Sequence, residues 1–152
     1  MTESADSSFP SFNPLVADAL PSRSAISPYA SMLGIEVVEV KPGRIRCKLP
    51  IKDSLNSGVG AVHGGAIVSL VDHALSLVVY PLVEIGKWVA TLEFKINYLA
   101  PVRLEPGSDI VADGYVLALK KRVAAVRVDV TVKDQLVASA QGTGYIREKL
   151  GG

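Results

Sequence analysis

Four polar side chains, Ser69, Asp72, His73 and Ser76, stand at offsets of 0, 3, 4 and 7 in a stretch otherwise rich in Ile, Val and Leu. At helical spacing they form one narrow stripe. The apolar residues around them, Ile67, Val68, Leu70, Val71, Leu75, Leu77, Val78 and Val79, fall on nearly every face, which predicts a helix buried on most sides. A carboxylate halfway along such a helix costs on the order of several kcal/mol unless something pairs with it. Asp72 is therefore either a structural acid bonded to backbone or to a cation, or a working one. The segment ahead of it, Asn56-Ser57-Gly58-Val59-Gly60-Ala61-Val62-His63-Gly64-Gly65, favours work. Two glycines at a helix start leave backbone N–H groups uncovered at the positive end of the helix dipole, a site suited to an anion or a developing oxyanion.

Other chemistries fit less well. Gly58, Gly60 and Gly64 are spaced G-x-G-x-x-x-G, and Ile51-Lys52-Asp53-Ser54 is no buried strand, so a dinucleotide fingerprint fails. No G-x-S-x-G elbow is present, against a serine hydrolase. His63 and His73 are the only histidines, ten residues apart across the glycines, and no metal is expected. The one cysteine, Cys47, lies in the alternating Arg46-Cys47-Lys48 and reads as a small core residue in a reducing compartment.

Spacing also bears on assembly. Asp72 lies eight residues past Gly64, about 12 Å along a helix axis. A carbonyl held by the Gly64 amide is out of reach of the same chain's Asp72. If both act on one carbon, two such helices must lie antiparallel across a two-fold axis, which predicts a homodimer with shared sites.

The elements that position these groups follow from periodicity. Ile35–Val40 and Arg44–Leu49 read as two strands around the turn Lys41-Pro42-Gly43, and the helix runs from about Gly64 to Leu82, ended by Pro81 and Gly86. Trp88–Tyr98, Asp109–Leu119, Val123–Val132 and Leu136–Ile146 read as four more strands, with short turns between the last three that imply an antiparallel meander. One long helix against one antiparallel sheet is an α+β arrangement. Residues 1–28, punctuated by Pro10, Pro14, Pro21 and Pro28, read as a flexible or loosely docked lead-in, with a short helix possible over Leu15–Leu20, and residues 29–152 as one domain.

Composition bounds the function. At 152 residues, 49% hydrophobic and 20% charged, the chain has material for a packed core. A formal charge of +1 gives no sign of a nucleic-acid partner. The start, MTESADSSFPSFNP, lacks a basic region followed by an apolar one. The longest run free of Asp, Glu, Lys and Arg, Ser54–Val71, holds Asn56, His63 and four glycines and makes a poor membrane helix. The expectation is a soluble, cytoplasmic protein that binds neither nucleic acid nor membrane. Aromatic residues are 6%, which suggests an apolar ligand pocket without a strong stacking platform.

His63-Gly64-Gly65, then Ser69-Leu70-Val71-Asp72, then the strand Thr91-Leu92-Glu93-Phe94-Lys95-Ile96-Asn97-Tyr98-Leu99-Ala100-Pro101 together resemble the hotdog-fold acyl-CoA thioesterases of the phenylacetic-acid-degradation (PaaI-like) type. The likeness spans roughly Leu33 to Arg147. It implies a long helix wrapped by an antiparallel sheet, dimers that often pair into tetramers, and hydrolysis of a CoA thioester without any cofactor beyond the coenzyme A of the substrate. It further implies that Asp72 is the catalytic carboxylate, as general base or nucleophile. Gly64 matches the residue whose amide polarises the thioester carbonyl, His63 the histidine beside that carbonyl, and Thr91 the Ser/Thr that places the water or the carboxylate. The family's Asn, six residues before the His, has Ser57 in its place here. Asn56 lies seven before, so either Asn56 reaches the site through a bulge or Ser57 substitutes for it. Gly65, Ser69 and Ser57 fall among the substrate-binding positions.

A thioester is already activated, so one oriented oxyanion donor and one carboxylate are sufficient in principle, and burial among Val and Leu makes a carboxylate a better base. Lys120, Lys121 and Arg122 occupy a turn and suit the CoA phosphates, or are simply a solvated turn. Two alternatives compete: a non-catalytic acyl-CoA-binding protein, which has no need of Asp72, and a hydratase or dehydratase on the same fold, whose histidine pattern is absent.

Overall fold

The computed structural model describes residues 9, 11–25 and 27–148, and its strands arise where apolar and polar residues alternate. β1 (Glu36–Lys41) and β2 (Arg44–Pro50) form a hairpin turned at Pro42-Gly43, with Gly43 at φ +66°. α3 (Gly64–Leu77) follows, preceded by α1 (Pro14–Ala25) and α2 (Pro28–Leu33) at the start of the chain. After α3 come β3 (Lys87–Tyr98), β4 (Asp109–Leu119), β5 (Val123–Val132) and β6 (Gln135–Glu148).

β4, β5 and β6 run as the expected antiparallel meander. β3 does not join β4, the next strand along the chain. It pairs with β6 at the far edge, so the order is β1-β2-β4-β5-β6-β3, antiparallel throughout. α3 lies across the inner face of this sheet, the hotdog arrangement. Leu70, Val71, Ala74 and Leu75 share one core with Ile110, Ala112, Val126, Val128 and Val130. A Cβ at Gly114 would stand 2.9 Å from Ile45 Cγ2 and 3.5 Å from the Ala74 carbonyl oxygen, so the helix backbone rides close over β4. Cys47 is fully buried on β2, and burial pushes its thiol up to about 12.

The helix was expected to continue to Leu82. Its α-helical part stops at Leu77 and gives way to a 3-10 turn, Tyr80–Leu82. Pro81 is the cause: it has no N–H to offer the Leu77 carbonyl, and its ring crowds that carbonyl. Over Gly64–Leu82 the segment is long and apolar enough to cross a membrane by length and composition, and 56% of its apolar window is packed inside the fold.

Within the stretch read as a lead-in, residues 1–8, 10 and 26 lie outside the described residues, as do 149–152 at the other end. The described part forms α1, longer than the Leu15–Leu20 segment expected, with Ala17 and Leu20 buried. Asn13 caps it: Oδ1 accepts from Leu15 N–H at 3.0 Å and Val16 N–H at 3.3 Å. The same residue's N–H donates to Pro81 O at 2.7 Å, and Ser11 Oγ donates to Leu82 O at 3.0 Å, so the helix start is tied to the end of the α3 segment.

Candidate active site

The loop before α3 is built by its own polar side chains. Asn56 Oδ1 accepts from Gly58 N–H at 2.8 Å and from Gly60 N–H at 3.2 Å. Both glycines have positive φ, +94° and +77°, which lets the backbone curl around that oxygen. Ser57 N–H and Oγ both donate to Ala61 O at 2.9 Å. Asn56 and Ser57 thus each shape the loop, and the Asn56 amide nitrogen is the group left without a partner among the described residues.

His63 is the N-cap of α3, with extended backbone, and its Nδ1 accepts from Gly65 N–H at 2.8 Å. The proton of the neutral ring is then on Nε2. Two open amides were expected from Gly64-Gly65; one is taken by His63, because a histidine at the N-cap reaches the amide two residues on. The Gly64 N–H alone has no partner among the described residues. Its carbonyl accepts from Tyr98 Oη at 3.0 Å, and a Cβ at Gly64 would meet that oxygen at 3.0 Å and Cζ at 3.2 Å. Tyr98 thus lies against the α3 start, a position the sequence pattern did not assign to it although it belongs to the quoted T-x-x-x-x-I-x-Y-x-x-P strand.

Farther along α3 the polar stripe holds together. Ser69 Oγ donates to Gly65 O at 2.9 Å and lies 2.8 Å from Tyr29 Oη on α2. Ser76 Oγ is shared between the carbonyls of Asp72 and His73, 3.2 Å from each. Ser69, Asp72, His73, Tyr29 and Phe94 border a cavity of about 290 Å³. Burial lowers the pKa of His73, with the Asp72 charge pulling the other way.

The expectation that Asp72 is buried does not hold in this chain: the residue is exposed, and its carboxylate has no hydrogen bond among the described residues. The reason is that α3 meets only one sheet. Its Ile67, Leu70, Val71, Ala74 and Leu75 face is covered, and the polar stripe points away.

Two further expectations are separated from this cavity. Thr91 is half-buried on β3, at a bulge where the register steps from Thr91↔Gly144 to Glu93↔Thr143, and does not border it. Lys120, Lys121 and Arg122 are exposed in the β4–β5 turn. Tyr98, Ala138 and Val130 share one row of the sheet, and Arg122 lies eight residues from Val130, about 26 Å along the strand. Within one chain the basic turn is thus at the opposite end of the sheet from Gly64. Among the described residues no three His, Cys, Asp or Glu side chains converge as a metal site would.

The sequence pattern of the thioesterase superfamily matches residues 59–139 of the chain. The chain is 30% identical over 114 residues to acyl-coenzyme A thioesterase 13 of Homo sapiens, covering 74% of this chain and 79% of that relative. Among solved structures it is similar to a thioesterase from Haemophilus influenzae, with a TM-score of 0.79 and 24% identity over 89% of this chain and 92% of that one. The E. coli PaaI protein from the phenylacetic acid degradation operon superposes equally well, with a TM-score of 0.79 at 19% identity, covering 93% and 98%. At these identities the two structures show the shared fold.

Proposed function

Because the chain belongs to the thioesterase superfamily and is a thioester hydrolase, we propose that it cleaves an acyl-CoA to the free acid and CoA, with Asp72 as base or nucleophile and the Gly64 N–H as donor to the thioester oxygen. The observation that carries this is a pair of uncommitted groups on one helix. Among the described residues, an amide without a hydrogen-bond partner stands at the positive end of the α3 dipole, and a carboxylate that accepts no hydrogen bond stands eight residues on, in a stripe that its own sheet leaves uncovered.

The two groups are about 12 Å apart on one helix, so each site is completed by a second copy, with the α3 helices antiparallel. β3 supports a partner on this side: it is an edge strand, and Leu92 and Tyr98 on it are exposed. Covering the stripe withdraws Asp72 from water. The carbonyl oxygen takes up negative charge against Gly64 N–H, with His63 Nε2–H as a second donor beside it. Asp72 either removes a proton from the attacking water or attacks the carbonyl carbon itself. Collapse of the tetrahedral intermediate breaks the C–S bond, and the electron pair leaves on sulfur as the CoA thiolate; where Asp72 is the nucleophile, water then hydrolyses the acyl-aspartyl anhydride to the free acid and restores the carboxylate. The Asn56 amide serves as a positioning group, and Lys120, Lys121 and Arg122 of one subunit meet the phosphates of CoA bound at a shared site.

A panel of acyl-CoAs with thiol release as readout tests this on wild type and Asp72→Asn. Expected is release by wild type and a loss of at least roughly a hundredfold in the variant. Release that survives the substitution removes Asp72 from its role, and binding without release from any acyl-CoA favours a binding protein.

A further inference from the structure

Beside the Asp72 cavity lies a larger one, of about 750 Å³, between α1, the end of α3 and the start of β3. The two share Ser27, His73 and Ser76 as a common border. The rest of the larger wall is mainly apolar, with Val16, Ala19 and Leu20 from α1 facing Leu77, Tyr80 and Trp88. Its charged residues are Arg23, Glu84 and Lys87, and Lys87 is engaged by Glu84 and Glu148. Pockets that enclose a small ligand run from roughly 300 to 1,000 Å³. At about 290 Å³ the Asp72 cavity has room for the reacting carbon and a water, and a long acyl group must extend elsewhere.

We propose that the larger cavity receives the acyl group, and that the substrates are thioesters of linear acyl chains of medium to long length. The tail runs from Asp72 past His73 and Ser76 and lies beneath α1. The proposal rests on Asp72 as the catalytic carboxylate, and it deepens that reading by naming the substrate class. Volume and lining both point this way. A single phenyl-sized group fills a small part of 750 Å³ and leaves apolar wall in water, whereas an extended aliphatic tail covers it. Each methylene so buried raises kcat/KM by up to roughly fourfold until the cavity is filled. α1 lies ahead of residue 59, where the superfamily match begins, so one wall of this cavity comes from outside the segment that marks the family.

The chain supplies its own reporter. Trp88 is its only tryptophan, lines the cavity and is 45% exposed, so an acyl tail beside it shifts its emission to the blue. Asp72→Asn protein, in which turnover is expected to be at least roughly a hundredfold slower, is titrated with dodecanoyl-CoA, butyryl-CoA and CoA. The expected result is a saturable blue shift with dodecanoyl-CoA and little or none with the other two. In wild type, kcat/KM for thiol release is expected to rise at least tenfold from butyryl- to dodecanoyl-CoA. Val16→Arg places a guanidinium on the apolar wall and is expected to cut that ratio at least tenfold. An unmoved Trp88 while wild type hydrolyses dodecanoyl-CoA would overturn the proposal, as would an unchanged ratio in folded Val16→Arg. If that variant does not fold, the Trp88 titration decides alone. A Trp88 shift without thiol release from any acyl-CoA would keep the acyl site and remove the catalytic reading.

Discussion

Two inactive variants should restore one another if each site is built from two chains. Asp72→Asn removes the carboxylate. Gly64→Pro removes the N–H of the α3 start that has no partner among the described residues, at the first helical position, where proline suits the backbone. The Pro ring meets Tyr98, whose Oη lies 3.0 Å from a Cβ at that position and whose exposed side chain can swing aside. Loss of one oxyanion donor costs roughly 10²–10³ in kcat, so each parent is expected at 1% of wild type or less, by order of magnitude. On co-refolding at equal amounts, half of the dimers are mixed. Each mixed dimer has one doubly defective site and one site with Asp72 from one chain and Gly64 from the other. Half of the sites in half of the dimers are therefore intact, which gives about a quarter of wild-type activity. A chromogenic thiol reagent reads the released CoA, and the fully buried Cys47 stays silent in the native protein. A mixture no more active than the mean of its parents would refute shared sites.

Three further outcomes are expected. The folded-state pKa of His73 is depressed below its ordinary value of 6.5, so its neutral form stabilises the fold above that pH, and the contribution is lost as pH falls through the folded value. Denaturant midpoints measured from pH 7.5 down to 5 should therefore fall less steeply for His73→Gln than for wild type. Removing the Gly65 cap with His63→Ala is expected to cost about 1 kcal/mol, read as a lower Tm, besides its effect on turnover. Gly142→Ala drives a methyl into the Glu93 carbonyl and Phe94 on the neighbouring strand. A loss of about 1–3 kcal/mol in urea unfolding is expected, and a neutral result would place β3 elsewhere.

Much of the fold was legible as local pattern. β4 and β5 begin and end at the residues where alternation starts and stops, because a strand with one face in a core must alternate. The helix start was legible in His63-Gly64-Gly65, since capping is a property of a few adjacent residues. The end of the helical segment at Leu82 was legible in Pro81, but the change from α-helix to a 3-10 turn after Leu77 was not, because Pro81 acts four residues back, on the Leu77 carbonyl. The glycine loop ahead of α3 and the polar stripe along it were legible as two groups of neighbouring residues. That His63 occupies the Gly65 amide, that Tyr98 lies over Gly64 and that Tyr29 reaches Ser69 depend on side-chain geometry across as many as 40 residues of chain.

By itself the sequence determined the kinds of elements, the polar stripe with Asp72 in it, the helix start at His63-Gly64-Gly65 and the distance between them, since each is set by residue type and a fixed rise per residue. Only the tertiary structure decided that β3 crosses to pair with β6, that α1 docks to wall a cavity, and that the Asp72 face of α3 is left uncovered. Strand order and helix docking depend on which apolar faces meet, and many pairings satisfy the same alternation. Exposure of Asp72 follows from counting sheets: one sheet covers one side of a helix, and an apolar pattern on nearly every face does not say whether the other side belongs to the same chain or to its neighbour.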